Sequence, residues 1–446
     1  MNTHLLSLKK RLHHITGSIA FYPTVIALSL MCIAFLVILL EFQPWLLEIK
    51  KHIQFLLVDS LEDARLILGT LVASTISLMV FSFSMVMLVL NQASANLSPR
   101  LLPGLITAKD NQIVLGFYLG TICYCLMLIL NIHSGAEDYR IPSLGTFIGL
   151  CFGIVCLALF TYFIHSISQA IQVDHILDRL LTQTKDKLDK ECCDQNPVTP
   201  KQWEFMLSTQ QAGYLKWIEV EELVGLCREH ELQMQLIEPI GYFYVGNMPY
   251  LRLSQKIDKS VEDKIHDCFV FYPEENLGDH YSFGFKQISE IAVKALSKGI
   301  NDPATAIKAI DMLIMLLIHK SNCCEKSVLF DKKDSPRVFL QPTSVHMLLH
   351  INITPIREYA KEDVLVMEHL LKGLHKILKS VVDICTIEPV TEQLIAIREN
   401  CQKFILNAVD RKTINEELKL INATLSTNLI AYLPIENFNL KEKEHA

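Results

Sequence analysis

His346 and His350 stand four residues apart in an apolar run, with Met347, Leu348 and Leu349 between them. On a helix that spacing puts two imidazoles on one face, an arrangement metal sites use, but no acid stands beside them in the HExxH manner. The setting predicts helix packing and no metal. Asp302, Asp311, Glu290 and His280 are the other acid–base candidates of the C-terminal half, and they could act together only if the fold gathers them. Thr70, Ser74, Ser77 and Ser84 are of another kind: hydroxyls aligned on about one side of an apolar segment, with Thr75 and Ser82 nearby. Such hydroxyls bond to carbonyls one turn back and join helices, or they line a water-filled path. P-loop, GxGxxG and GxSxG strings are absent, so no catalytic residue and no cofactor is expected. Thirteen cysteines include the adjacent pairs Cys192–Cys193 and Cys323–Cys324 but no CxxC. Adjacent cysteines alone build no usual zinc or redox motif, and the thiols are expected to be reduced and without a role.

The elements that carry these residues begin with four apolar stretches, Ile19–Leu40, Leu66–Leu90, Ile113–Ile132 and Leu144–Ile167. Each is about the ~20 residues a helix needs to cross a bilayer, and none holds an Asp, Glu, Lys or Arg. The first is longer than a signal-peptide core and no small-x-small site closes it, so it reads as an uncleaved helix. Lys9, Lys10 and Arg11 precede it, Arg100 and Lys109 follow the second, and Arg179, Lys185, Lys187 and Lys190 follow the fourth. The loop Asn131–Ile141 carries Glu137 and Asp138 with only Arg140. The positive-inside rule then predicts both termini in the cytoplasm, against which stand Lys50, Lys51 and Arg65 of the first loop. In that loop Leu46, Ile49, Ile53, Leu56, Leu57 and Leu61 repeat at helical spacing, as in a helix lying at the outer interface, with Trp45 as its anchor. Intramembrane charge is the usual mark of proton-coupled transport. Glu41, Asp63, Arg65 and His165 lie only at the ends of the stretches, which disfavours that mechanism.

Gly116 and Gly120 form one GxxxG; Gly145, Gly149 and Gly153 form two in succession. Glycines four apart share a helix face and let another backbone approach closely. They are candidate helix-packing positions, within the chain or in a homo-oligomer. Ser98–Pro99 reads as an N-cap and first residue of a short helix over 100–106.

Past residue 168 the chain reads as soluble. An amphipathic helix and linker are expected over 169–200, running on from the fourth span, then a small β-rich subdomain over 201–275. A mainly helical subdomain follows over 276–430 and a polar tail over 431–446. Within Ile288–Ala306 the residues form helix, turn, helix. Gly299 suits a left-handed helix stop, Asp302 an N-cap and Pro303 the first helical position, with Asn301 in the turn. Capping accounts for this string, and it remains the candidate site of the soluble part.

The same string resembles the "ALSPGINDPxTA" signature of the bacterial membrane-protein family known as domain of unknown function 2254. Asn96–Leu102, Val114–Thr121, Tyr162–His165 and Phe283–Gln287 are similar to that family as well. Lys298 stands where the family often has proline. The resemblance spans most of residues 20–400. It implies an integral membrane protein with several N-terminal helices and a soluble C-terminal domain, and it carries no activity.

The expected fold is an α-helical membrane domain of four transmembrane helices followed by an α+β cytoplasmic domain. A net charge of −7 gives no case for nucleic acid. The expected partners are the lipid bilayer and a second copy of the chain. A small solute or a protein partner is not identified. The uncharged spans, the hydroxyl row and the glycines fit an oligomeric passive channel or transport protein gated by its cytoplasmic domain. The size of that domain fits a membrane-anchored sensor or scaffold binding a ligand or protein. A membrane-bound enzyme has only scattered polar residues in its favour.

Overall fold

A computed structural model describes residues 20–41, 60–96, 109–135, 138–140, 142–170, 172–192, 203–273, 280–381 and 383–427, with isolated positions 43, 50, 57 and 58. The chain divides into two compact units, one of residues 1–95 and 101–172 and one of 96–100 and 173–446. The anchor Trp45, the helix expected over 100–106 and the tail 431–446 lie outside the described residues, as does most of the interfacial helix.

Among the described residues four helices of the first unit are long and apolar enough to cross a membrane: α1 (Phe21–Leu40), α2 (Leu61–Asn96, apolar to Gln92), α3 (Lys109–Leu130) and α4 (Ser143–Ala170). Pro23 sits in the first turn of α1, where its missing N–H has no intrahelical partner to lose. A hairpin of β1 (His133–Gly135) and β2 (Asp138–Arg140) joins α3 to α4. Two apolar clusters fill the bundle. One holds Ala34, Ala64, Leu68, Tyr124 and Leu128; the other holds Val89, Tyr118, Cys156, Phe163 and Ile167.

The second unit opens with α5 (Val173–Glu191). The sequence reads as one helix running on from the fourth span, but α4 ends at Ala170 and α5 starts afresh at Val173. The reason is packing. Ile176, Leu177, Leu180, Thr184 and Leu188 form a buried stripe, and α5 lays it on α8 (Ser282–Ala295) and α9 (Pro303–Ser321).

Short strands follow: β3 (Phe205–Ser208), β4 (Gly213–Ile218), β5 (Met234–Leu236), β6 (Phe243–Tyr244), β7 (Pro249–Leu253) and β8 (Phe269–Tyr272). Helices α6 (Val220–Glu229) and α7 (Lys259–Asp267) interrupt them. The alternation of Leu215 with Lys216, and of Met234 and Leu236 with Gln235, turns one face inward, while β7 buries Tyr250 and Leu251 in succession, on a core that also holds Leu223 and Ile265. Two strands from the helical stretch, β9 (Val328–Phe330) and β10 (Pro336–Phe339), join this region, so β structure reaches beyond residue 275. The sheets run β3-β7-β5-β10-β9 and β6-β4-β8, with β10 parallel to β5 and the other pairs antiparallel. Behind α9 pack α10 (Val345–Tyr359), α11 (Val364–Ser380), α12 (Ile384–Phe404) and α13 (Ala408–Thr427). Ser344 and Asp363 cap α10 and α11, each accepting from the backbone N–H three residues on.

Candidate functional site

Thr70, Ser74, Ser77 and Ser84 all lie on the exposed side of α2. At ~100° per residue they fall within roughly 80° of arc. Each hydroxyl donates to a carbonyl one turn back: Thr70 to Leu66 at 2.7 Å, Ser74 to Leu71 at 3.1 Å, Ser77 to Ala73 at 3.0 Å and Ser84 to Val80 at 2.9 Å. Donors are thereby satisfied while the oxygen lone pairs stay available to water or solute. Thr75 and Ser82, from the same helix, are buried in the bundle. Asp63 starts the row beside a shallow groove lined also by Leu57, Val58, Ser60, Leu66 and Ile67. Asn91 and Gln92, exposed, end it. Phe81, which stacks edge-on against Phe160 of α4, and Leu88 interrupt it with apolar bulk.

The glycines meet neighbours within the chain. A Cβ at Gly116 would lie 2.8 Å from the Cα of Pro23, and one at Gly120 would lie 2.5 Å from Leu30 Cδ1 and 3.2 Å from the Cα of Ala27. These two positions let α3 press on the backbone of α1. Gly145 faces Leu128 and Val37, Gly149 faces Leu68 and Tyr124, and Gly153 faces Leu71.

One end of the bundle holds a polar knot that the spacing of motifs does not reveal. Glu41, fully buried, receives the Lys50 ammonium at 2.5 Å and the backbone N–H groups of Leu144 (3.0 Å) and Gly145 (3.2 Å). Its two oxygens therefore cap the start of α4, where a negative charge also suits the helix dipole. Tyr124 donates to the Gly145 carbonyl at 2.9 Å, and Arg65 donates to the Ile132 carbonyl at 3.2 Å. The only hint in the sequence is an acid placed directly after an apolar stretch.

In the second unit the turn before α9 works differently from the sequence expectation. The left-handed residue is Asn301, at φ 50°, not Gly299. Asparagine tolerates that region better than any other residue with a side chain except its close relatives. Asp302 sends its backbone N–H to the Ala295 carbonyl at 2.8 Å, and its carboxylate accepts from Thr305 twice, from N–H at 3.1 Å and from the hydroxyl at 2.6 Å. Pro303 opens α9. The Thr305 hydroxyl, then its N–H, hold the Asp302 carboxyl below the usual range. Its stabilising contribution is thus present above the unfolded value of ~3.9 and is lost as pH falls through the lower folded value. Asp302→Ala should lose ~1 kcal/mol of stability while Asp302→Asn stays near wild type, since both Asp and Asn accept from N–H. Thermal unfolding at neutral pH reads this difference. An Asn variant that melts like wild type but loses its cellular phenotype would assign the turn a functional role instead.

Asp311 pairs with His369 at 2.9 Å, and His280 contacts Ser282 at 2.8 Å. His346 and His350 are stacked, with Glu392 at 3.5 Å from His346, and no group of three metal-ligating side chains occurs among the described residues.

What gathers instead is a buried polar cluster where α5, α8 and the end of α9 meet. Lys320 pairs with Glu325 at 2.7 Å, both nearly buried, and the Tyr281 hydroxyl donates to the other Glu325 oxygen at 2.8 Å. Burial, then the nearby Lys187 and Lys320, push the His280 imidazole down to about 3, so the ring is neutral at pH 7. Burial and the Glu325 charge raise the Glu191 carboxyl. Gly284 admits α5 to this place, since a Cβ there would lie 1.8 Å from the Thr184 hydroxyl oxygen. Beside the cluster Cys192 and Cys323 are joined as a disulfide, with Cα atoms 5.5 Å apart. This corrects the expectation of reduced thiols for these two. They lie 131 residues apart in the chain, so only the fold brings one member of each adjacent pair together.

The profile of a family described as predicted membrane protein (DUF2254) matches residues 16–376. Uncharacterized proteins of Mycobacterium bovis and Mycobacterium tuberculosis are 25% identical over 376 residues, covering 79% of this chain and 71% of theirs. No solved structure matches the chain.

Proposed function

The chain belongs to the DUF2254 family of predicted membrane proteins, and from that premise we propose that its copies assemble in the bacterial inner membrane into a passive conduit. The observation that carries this reading is the row Thr70, Ser74, Ser77 and Ser84, which one chain leaves exposed along a helix long enough to span a bilayer. The bundle's own interior is filled by Leu68, Tyr118, Tyr124, Leu128 and Phe163. A path for solute therefore needs several copies, with the α2 rows facing one another and carbonyl-satisfied hydroxyls offering lone pairs to water. Phe81 and Leu88 form apolar constrictions of the kind that gate by dewetting. With no charge inside the four apolar windows beyond their ends, the conduit moves solute down its gradient without proton coupling.

Both termini lie in the cytoplasm on this reading, following the Lys and Arg distribution, and the second unit acts as the gate. Single cysteines in an otherwise cysteine-free chain test row and orientation together. In intact cells an impermeant thiol reagent should reach Ser134→Cys and, more slowly, Ser77→Cys, but neither Ser335→Cys before lysis nor Phe83→Cys at all. Labelling of Ser335→Cys in intact cells reverses the orientation, and an inert Ser77→Cys removes the aqueous path.

The second reading is a membrane-anchored sensor or scaffold. The buried Lys320–Glu325–Tyr281 cluster favours it, because buried ionisable groups are concentrated at functional sites. That reading leaves the α2 row dry.

A further inference from the structure

We infer that Cys192 and Cys323 form a reversible thiol-oxidation site, a dithiol–disulfide couple that exchanges with small disulfides and fastens the end of α5 to the loop between α9 and β9. The geometry of the couple is the same whichever side of the membrane holds the second unit, and the thiol poise of that compartment sets which form predominates. Its Cα separation of 5.5 Å lies inside the range a disulfide spans without backbone movement. The two backbones are also held in register by bonds that need no sulfur. Cys192 forms an antiparallel bridge with Glu325, and the Lys326 N–H donates to the Glu191 carbonyl at 2.8 Å. On one side the Cys192 N–H closes the last turn of α5 on the Leu188 carbonyl at 3.1 Å. On the other the loop is anchored through Glu325, whose carboxylate is gripped by Lys320 and Tyr281.

Both oxidation states fit this frame. In the disulfide form seen here the Cys192 sulfur lies 3.1 Å from the Leu188 carbonyl, an acceptor already in place for the S–H that reduction creates. Both cysteines are half-buried, so a small disulfide reaches them. One protein thiolate attacks a sulfur of the small disulfide and a small thiol leaves. The second thiolate then attacks the mixed disulfide and a second small thiol leaves. One S–S bond is broken and one is formed. The two protein thiols are oxidised, and the small disulfide is reduced to two thiols that carry off both protons. The adjacent Cys324, exposed, offers a competing nucleophile in the same loop. The closed ring takes in residues 192–323, which contain every strand from β3 to β8, so closure restricts a long stretch of the unfolded chain.

The test uses the full chain in detergent, equilibrated across ratios of glutathione to glutathione disulfide, quenched by alkylation and mapped by mass spectrometry. The expected result is a Cys192–Cys323 linked peptide that rises with the disulfide fraction and disappears in dithiothreitol. The thermal midpoint should rise in step. Cys192→Ser and Cys323→Ser should lack both the peptide and the midpoint shift. If either variant fails to fold, the wild-type map still decides. Three results overturn the inference: thiols unlinked at every ratio, a linkage made through Cys193 or Cys324, or a bond that dithiothreitol does not open in the folded protein.

Discussion

Glu41→Ala should destabilise the membrane bundle by about 3–5 kcal/mol, the cost of breaking a buried ion pair from one side. Glu41 is fully buried, and the Lys50 side chain it meets is 12% exposed. Removing the carboxylate takes an anionic partner from a nearly buried ammonium, which keeps its bond to the Glu41 backbone carbonyl at 3.0 Å. It also takes the acceptor from the Leu144 and Gly145 N–H groups at the start of α4. Unmet donors out of contact with water cost ~1–3 kcal/mol each, so the two losses point the same way. Glu41→Gln separates them, because its amide oxygen can still accept from one N–H while the charge is gone. The expected order of unfolding midpoints, followed by circular dichroism during titration with a denaturing detergent, is wild type, then Gln, then Ala. Equal midpoints for wild type and Ala would mean that the knot contributes nothing and that α4 finds its cap elsewhere.

The second large effect is expected at Gly116. Its missing Cβ would lie 2.8 Å from the Cα of Pro23, a backbone atom that cannot rotate away. Gly116→Ala should therefore cost ~1–3 kcal/mol by overpacking, and Gly116→Leu more. Gly120 is also tight, but its nearest contact is the end of the Leu30 side chain, which can shift, so Gly120→Ala should cost less. Gly149→Ala meets Leu68 at 3.3 Å and should be milder still. Gly69 on the exposed side of α2 has nothing within 4 Å, so Gly69→Ala serves as the control with no loss. Melting of the four alanine variants in one detergent gives the ranking. A Gly69 variant as damaged as the Gly116 variant would show that glycine itself, not the α1–α3 contact, is being read.

Much of this architecture is legible in the chain because its signals are local. The apolar stretches are continuous, and Ser344, Asp363 and Asp302 precede their helices as caps do. Strands β4 and β5 alternate buried with half-buried residues, as half-buried strands do. The rest depends on contacts that no window contains. Glu41 finds its partners at Leu144 and Gly145, and Cys192 finds Cys323. Strands β9 and β10 are three and four residues long, too short for a periodic signal, and only the pairing of β10 with β5 and of β9 with β10 makes them strands. The turn before α9 shows a finer limit. Gly299 and Asn301 can both adopt positive φ, and the N–H of Asp302 returning to Ala295 decides for Asn301. For the hydroxyl row, the sequence shows the face and the fold shows that the chain's own helices leave it uncovered.

If copies of this chain form a passive conduit along α2, liposomes that carry the protein pass solute that empty ones hold back. Purified protein is reconstituted, its oligomeric size is measured in detergent, and vesicle swelling is followed by stopped-flow light scattering with urea, glycerol and potassium chloride as probes. The account predicts an oligomer that passes at least one probe faster than empty vesicles. It also predicts that Ser74→Leu combined with Ser77→Leu abolishes that flux without changing oligomer size. Wild-type vesicles no leakier than empty ones to all three probes, or a double variant that conducts as wild type does, would contradict it.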